Sequence, residues 1–187
     1  VLVTHTIEIP TERLTLRPFE PADLEAFVAY RSDPEVARYQ GWTSAFSMPD
    51  AERFLVDQQG IAFTQPGAWL QLAMVDRETG AVRGDCAVHT LDDQPGTTEV
   101  GVTLAPASHG SGYATEALGA VVAALFEQQA MHRVFANTDE RNAPVHRLLE
   151  RLGFRREGRM VEADRFKDEW TTVCVYALLA REWQARG

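Results

Sequence analysis

Residues 13–17 (Arg-Leu-Thr-Leu-Arg) alternate polar and apolar, the period of a half-buried strand, and Pro18 ends the run. Leu24, Phe27 and Val28 then recur at helical spacing behind Pro21, and Asp33-Pro34 breaks that helix and opens a short turn of another. Ser47, followed by Pro49 and Asp50, reads as the N-cap of a helix carrying Phe54, Leu55 and Gln58. From Trp69 the period falls to two. Strands are expected at 69–75, 81–89 and 98–104, with turns at 76–80 and 92–96, so the middle of the chain is an antiparallel meander. Gly101 interrupts the third of these, as a bulge, a close backbone approach or a simple packing glycine.

Beyond the meander, Ala114, Ala117, Leu118, Val121, Val122 and Leu125 form one helical stripe that suits packing on a sheet. A short strand at 133–137 follows. Asn142-Ala143-Pro144 starts a last long helix with Val145, Leu148, Leu149 and Leu152 inward, and Gly153 ends it as a left-handed cap. Residues from Phe154, including the apolar run at 170–178, supply closing strands. No repeat, linker or low-complexity segment divides the chain, so its 187 residues are expected to form one domain.

Composition narrows the class. Hydrophobic residues at 45% and charged residues at 24% describe an ordinary globular chain. A formal charge of −9 argues against a nucleic-acid partner and suits a cationic substrate. Cys86 and Cys174 lie in apolar runs without metal-ligand or nucleophile spacing, so core thiols and no metal are expected. Residues 1–10 show no leader pattern and no run is long enough to span a bilayer, which makes the cytoplasm the expected compartment and a membrane no partner.

The chemistry concentrates at His109-Gly110-Ser111-Gly112-Tyr113-Ala114, between the third meander strand and the striped helix. Two glycines within three residues let successive N–H groups converge on one oxygen-rich ligand, and the helix dipole adds attraction there. A pyrophosphate is the natural guest. A Walker loop is excluded because no lysine precedes Thr115, and a dinucleotide fingerprint wants a third glycine where Thr115 stands.

This loop, the helix that follows, and the run from Asn142 to Leu152-Gly153-Phe154 resemble the GNAT superfamily of N-acetyltransferases, with His109 at the position where that motif has Gln or Arg. Glu12-Arg13-Leu14-Thr15-Leu16-Arg17-Pro18, Thr115-Glu116-Ala117 and Arg151-Leu152-Gly153-Phe154 are similar to its ribosomal-protein-alanine N-acetyltransferase-like branch, over a core of about residues 11–183. The resemblance implies an α+β fold with a mixed, mostly antiparallel central sheet flanked by helices. Its fourth and fifth strands, 98–104 and 133–137 here, would splay to admit acetyl-CoA as cosubstrate. The pantetheine arm would pair with Val102, Thr103 and Leu104, the pyrophosphate would lie on the amides of Gly110, Ser111, Gly112, Tyr113 and Ala114 with His109 of the same loop at the cofactor, and Asn142 would bond the pantetheine. Arg147, with Arg141 and Arg151 as alternatives, would meet the ribose phosphate or adenine.

The implied reaction is direct attack of a primary amine, on a protein N-terminus or a small molecule, on the thioester. Glu99 is the candidate general base, with Asp85 and His89 in reserve, and the Leu104 N–H the candidate oxyanion donor. Relatives place a Ser or Tyr where this chain has Val145 and Leu149, so the acid for the leaving thiolate is missing from its usual places, and Tyr113 is one substitute. That gap motivates an alternative, a non-catalytic acyl-CoA-binding module or sensor. Trp42, Phe46 and Trp69 are candidates for an acceptor pocket. A homodimer is compatible with such a fold.

Overall fold

The computed structural model describes residues 7–186; the leader reading at 1–10 and the extremes of the expected 1–187 domain lie partly outside them. β1 (Ile9–Pro10), β2 (Leu14–Pro18), β3 (Trp69–Asp76), β4 (Val82–Thr90), β5 (Thr97–Leu104), β6 (Arg133–Asp139), β7 (Arg155–Phe166) and β8 (Glu169–Leu179) form one sheet in the order β1-β2-β3-β4-β5-β6-β8-β7. Every pairing is antiparallel except β5 with β6. The expected mixed, mostly antiparallel sheet is present. Its splayed pair is β5 and β6 rather than the fourth and fifth strands, because the two-residue β1 precedes the strand expected to be first.

The helices are α1 (Leu24–Arg31), α2 (Pro34–Ala37), α3 (Met48–Asp57), α4 (Tyr113–Glu127), α5 (Ala143–Arg151) and α6 (Ala180–Gln184). Asp33 caps α2 by accepting from Glu35 N at 2.8 Å, and Asp50 closes the start of α3 by accepting from Ser47 N at 2.8 Å. One face of the sheet buries Leu14, Leu72, Val88, Val100, Val134 and Tyr176 against Leu118, Val121 and Leu125 of α4 and Leu148 and Leu149 of α5. On the other face, Phe27 and Tyr30 of α1 and Ala51 of α3 meet Ala73. Cys86 and Cys174 are buried, free thiols. Among the described residues no helix is long and apolar enough to cross a membrane.

Pairing between β5 and β6 lasts only three positions, Thr97 with Arg133, Thr98 with Val134 and Glu99 with Phe135. Beyond them each strand follows its other neighbour: β5 stays on β4 as far as Leu104 opposite Gly84, and β6 stays on β8 as far as Asp139 opposite Val173. A wedge therefore opens between two strands that are each still held on one side. Gly84 makes the β4–β5 contact close, since a Cβ there would lie 2.1 Å from the Thr103 carbonyl oxygen. Gly101 sits in regular register opposite Ala87 with ordinary space around it, so it is a packing glycine and not a bulge; within the meander the register shifts between Met74 and Val75.

Candidate active site

The wedge opens into a cleft of about 720 Å³. Val102, Thr103 and Leu104 form one wall, the glycine loop with Ala114 and Thr115 the end, and Asn142, Val145, Arg147 and Leu148 of the α5 segment the opposite wall. The direction of the β5 main chain follows from its neighbours. Ala105 N donates to Arg83 O at 2.9 Å and Thr97 O accepts from Leu91 N at 2.9 Å, so odd-numbered β5 residues bond toward β4. Val102 and Leu104 consequently present their N–H and C=O groups to the wedge. The Leu104 carbonyl is met by His109 Nε2 at 3.3 Å, and since a carbonyl only accepts, this nitrogen carries the proton.

Gly110 and Gly112 both take positive φ, 74° and 82°. That left-handed backbone is costly for residues with a Cβ, and Gly112 is the residue from which α4 starts. Among the described residues, the amides of Gly110, Ser111, Gly112, Tyr113, Ala114 and Thr115 find no acceptor in the protein. Six unsatisfied donors at the head of a 15-residue helix make a strong anion site. Arg13 fixes it from outside. Its Nη1 donates to Ser111 O at 2.9 Å and its Nε to Glu116 Oε2 at 2.7 Å, while Glu116 Oε1 accepts from Arg13 N and Thr11 Oγ1.

Nine of the residues expected at the cofactor line the cleft: Val102, Thr103, Leu104, His109, Gly110, Gly112, Ala114, Asn142 and Arg147. Ser111 and Tyr113 do not. The Tyr113 ring turns outward, its hydroxyl donating to Asp76 at 3.3 Å and its face 4.4 Å from the Arg13 guanidinium, so its side chain is no candidate acid; only its amide belongs to the loop. Among the arginines, Arg141 is withdrawn, bonded through Nη2 to Asp139 at 2.6 Å and through Nη1 to Glu169 at 2.9 Å. Arg147 and Arg151 line the cleft, and Arg151 also reaches Thr115 Oγ1 at 3.2 Å. Asn142 starts α5 without a side-chain cap bond, which leaves its amide free for the cleft.

Glu99 stands at the last paired position of β5, where the wedge begins, and its carboxylate accepts from Asn137 Nδ2 at 3.1 Å across it. Burial raises its pKa above the ordinary glutamate value, opposed by the Asn137 bonds and by His89. It lies on the α1 side of the sheet, opposite the face covered by α4. Trp69, His89, Glu99 and Phe135 follow one another across four strands in a single row. His89 is stacked on Trp69, ring centroids 4.6 Å apart, and Trp69 is 44% exposed. Asp85, the other reserve, is overturned as a catalyst: it is 2% exposed, bonded by Tyr30 Oη at 2.5 Å and 4.0 Å from Arg31. Trp42 and Phe46 are spent on Arg31 as well, whose guanidinium lies 3.7 and 5.3 Å from their rings.

One wall was not expected. Glu35, Val36, Tyr39 and Gln40, from α2 and the turn after it, complete the cleft beside the start of α5, where the Tyr39 hydroxyl donates to the Arg141 carbonyl at 3.5 Å. Lys167, at the β7–β8 tip, holds that wall by donating to the α2 carbonyl of Ala37 at 2.5 Å. Nothing in a four-residue helix and a polar turn marks these residues in the sequence; only the tertiary contact with the hairpin does.

The profile of the acetyltransferase (GNAT) domain matches residues 13–155, the span from Arg13 through the glycine loop and α5 to the first residue of β7. An uncharacterized N-acetyltransferase, p20 of Bacillus licheniformis, is 30% identical over 173 residues, 92% of this chain and 96% of its own. The crystal structure of a GNAT-family acetyltransferase from Bacillus anthracis superposes with a TM-score of 0.85 at 29% identity, covering 94% of this chain and all of that one. Spermidine N-acetyltransferase from Vibrio cholerae, solved with CoA and spermine, shares the fold alone, with a TM-score of 0.79 at 19% identity over 92% of this chain and 98% of that one. With a profile match over most of its length and relatives named for the reaction, this chain belongs to the GNAT family and is an N-acetyltransferase.

Proposed function

We propose that the chain transfers the acetyl group of acetyl-CoA to a primary amine by direct attack, with both substrates bound together. The observation that carries this reading is the wedge between β5 and β6, with the Val102 main-chain groups and the Leu104 N–H turned into it from β5 and free loop amides at its end. A pantetheine arm carries amides that suit the strand edge, and a pyrophosphate carries the charge that suits the loop. Arg147 and Arg151 would meet the ribose phosphate.

Positioning supplies most of the rate. Neighbours held in reacting geometry reach effective molarities of about 10⁵ to 10⁸ M. The Leu104 N–H, directed into the wedge, stabilises the oxyanion in this reading, and Glu99, directly or through water, takes the proton the amine must lose. The acceptor is a small-molecule amine or a protein N-terminus. Its approach from the α1 side, over the Trp69–His89–Glu99 row, is supported by the half-buried carboxylate there, and the net charge of −9 favours a cation.

Thiol release from acetyl-CoA, measured across peptides, polyamines, amino sugars and amino acids, tests the reading. Release with at least one amine is expected. Acetyl-CoA binding without release from any of them would favour the sensor alternative that Val145 and Leu149 raise.

A further inference from the structure

The departing sulfur in this reading, on which the inference rests, has no hydroxyl at Val145 or Leu149 to protonate it. Among the residues lining the cleft, three side chains carry a hydroxyl: Thr103, Thr115 and Tyr39. Thr115 lies at the phosphate end and accepts from Arg151. Thr103 is an aliphatic alcohol buried on β5 opposite Asp85, and aliphatic alcohols surrender protons far less readily than phenols. Tyr39 differs on both counts. Its hydroxyl donates to the Arg141 carbonyl at 3.5 Å, which places it at the approach to α5, one residue before Asn142 and in the same cleft as Val145. A bond that long is readily exchanged for another acceptor.

The ring is held from several sides. Arg38 and Arg141 lie 5.5 and 6.0 Å from its centroid, Arg38 is paired with Glu35, and Arg141 is fixed by Asp139 and Glu169. Lys167 anchors the turn that carries it by bonding Ala37.

We propose that Tyr39 is the general acid, contributed from the turn after α2 in place of a hydroxyl on α5 itself. The amine lone pair forms a C–N bond to the thioester carbonyl carbon, whose π pair moves to oxygen. As that oxyanion collapses, the C–S bond breaks, its electron pair goes to sulfur and the Tyr39 proton follows it. The phenolate recovers a proton from water while the surplus amine proton leaves through Glu99. The products are amide and thiol.

The test is steady-state kinetics of Tyr39→Phe and of Tyr39→Phe combined with Val145→Ser, with an amine the wild type accepts and with folding of both variants checked by circular dichroism. Tyr39→Phe should lower kcat about 10²-fold, the lower end for a lost general acid, with KM for acetyl-CoA little changed. Val145→Ser should restore part of the loss, because it returns a hydroxyl to α5. The deficit should also shrink when the donor is an acetyl ester of an acidic aryl thiol, which leaves without protonation. Wild-type kcat in Tyr39→Phe overturns the proposal, and so does an equal deficit with both donors and no gain from Val145→Ser. Failure of the wild type itself to release thiol would overturn the acetyltransfer reading and this inference with it, whereas turnover insensitive to Tyr39 overturns this inference alone.

Discussion

Arg13, at the start of the first long strand, and Glu116, in the first turn of α4, are joined by a 2.7 Å ion pair although 103 positions separate them. The same guanidinium reaches the Ser111 carbonyl at 2.9 Å. Two segments singled out separately in the sequence thus form one brace behind the glycine loop. Charge-assisted bonds of this geometry are the stronger kind, and here they hold a loop whose own amides are free for a ligand.

Removing the brace should loosen that loop without touching the reacting atoms. Arg13→Ala is expected to raise KM for acetyl-CoA about tenfold and change kcat much less, since the lost interaction orders a binding element. Steady-state kinetics at saturating amine would read this directly. A fall in kcat with constant KM would place Arg13 elsewhere in the account.

Glu99 should control the acidic limb of the pH profile. Burial holds its carboxyl above the usual range, so at low pH it is protonated and cannot take the amine's proton. Activity should rise as pH climbs through that raised pKa, and Glu99→Gln should remove the limb and lower kcat about 10²-fold. The stability effect has the opposite sense. A raised carboxyl pKa means the fold loses stability as pH rises from the unfolded to the folded value, so Glu99→Gln should not lower Tm at neutral pH.

The buried group around Asp85 should behave as structure. Tyr30 bonds the carboxylate, Arg31 lies 4.0 Å away and donates to Gln71 at 2.6 Å, and Trp42 donates to the Arg31 carbonyl at 3.1 Å. Asp85→Ala leaves a buried guanidinium without its counter-charge and should cost about 3–5 kcal/mol in urea denaturation. A loss below ~1 kcal/mol, the range of exposed pairs, would show that the group is solvated.

Gly84→Ala should also destabilise. The new Cβ would stand 2.1 Å from Thr103 O, which is backbone and cannot swing aside. A cost of ~1–3 kcal/mol is expected from overpacking. Gly101→Ala, which meets only the Ala87 side chain at 3.6 Å, should cost less, and the difference between the two Tm values checks the assignment.

What the sequence disclosed follows from how local each signal is. Period-two runs gave β3, β4 and β5, and the Ala117-Leu118-Val121-Val122-Leu125 stripe gave the buried face of α4, because alternation and helical spacing depend on neighbours a few residues apart. The loop was legible because Gly110 and Gly112 carry a conformational signature. The closing strands expected from Phe154 are β7 and β8, but the turn of their hairpin was not legible. It falls at Lys167 and Asp168, both at positive φ, 48° and 67°, without the glycine that usually marks such a turn. Tyr39 was hidden for another reason: its place in the cleft depends on α2 meeting the hairpin tip more than a hundred residues away. Tyr113 misled because the pattern locates its amide but not the direction of its ring.

Isothermal titration of the purified protein with acetyl-CoA tests the central claim most directly, run beside Gly112→Ala, which forces a Cβ onto the left-handed residue before α4. The account predicts saturable one-site binding to the wild type with a dissociation constant on the order of micromolar, and binding at least about tenfold weaker in the variant. No heat from the wild type at millimolar acetyl-CoA, or equal affinity in both proteins, would contradict it.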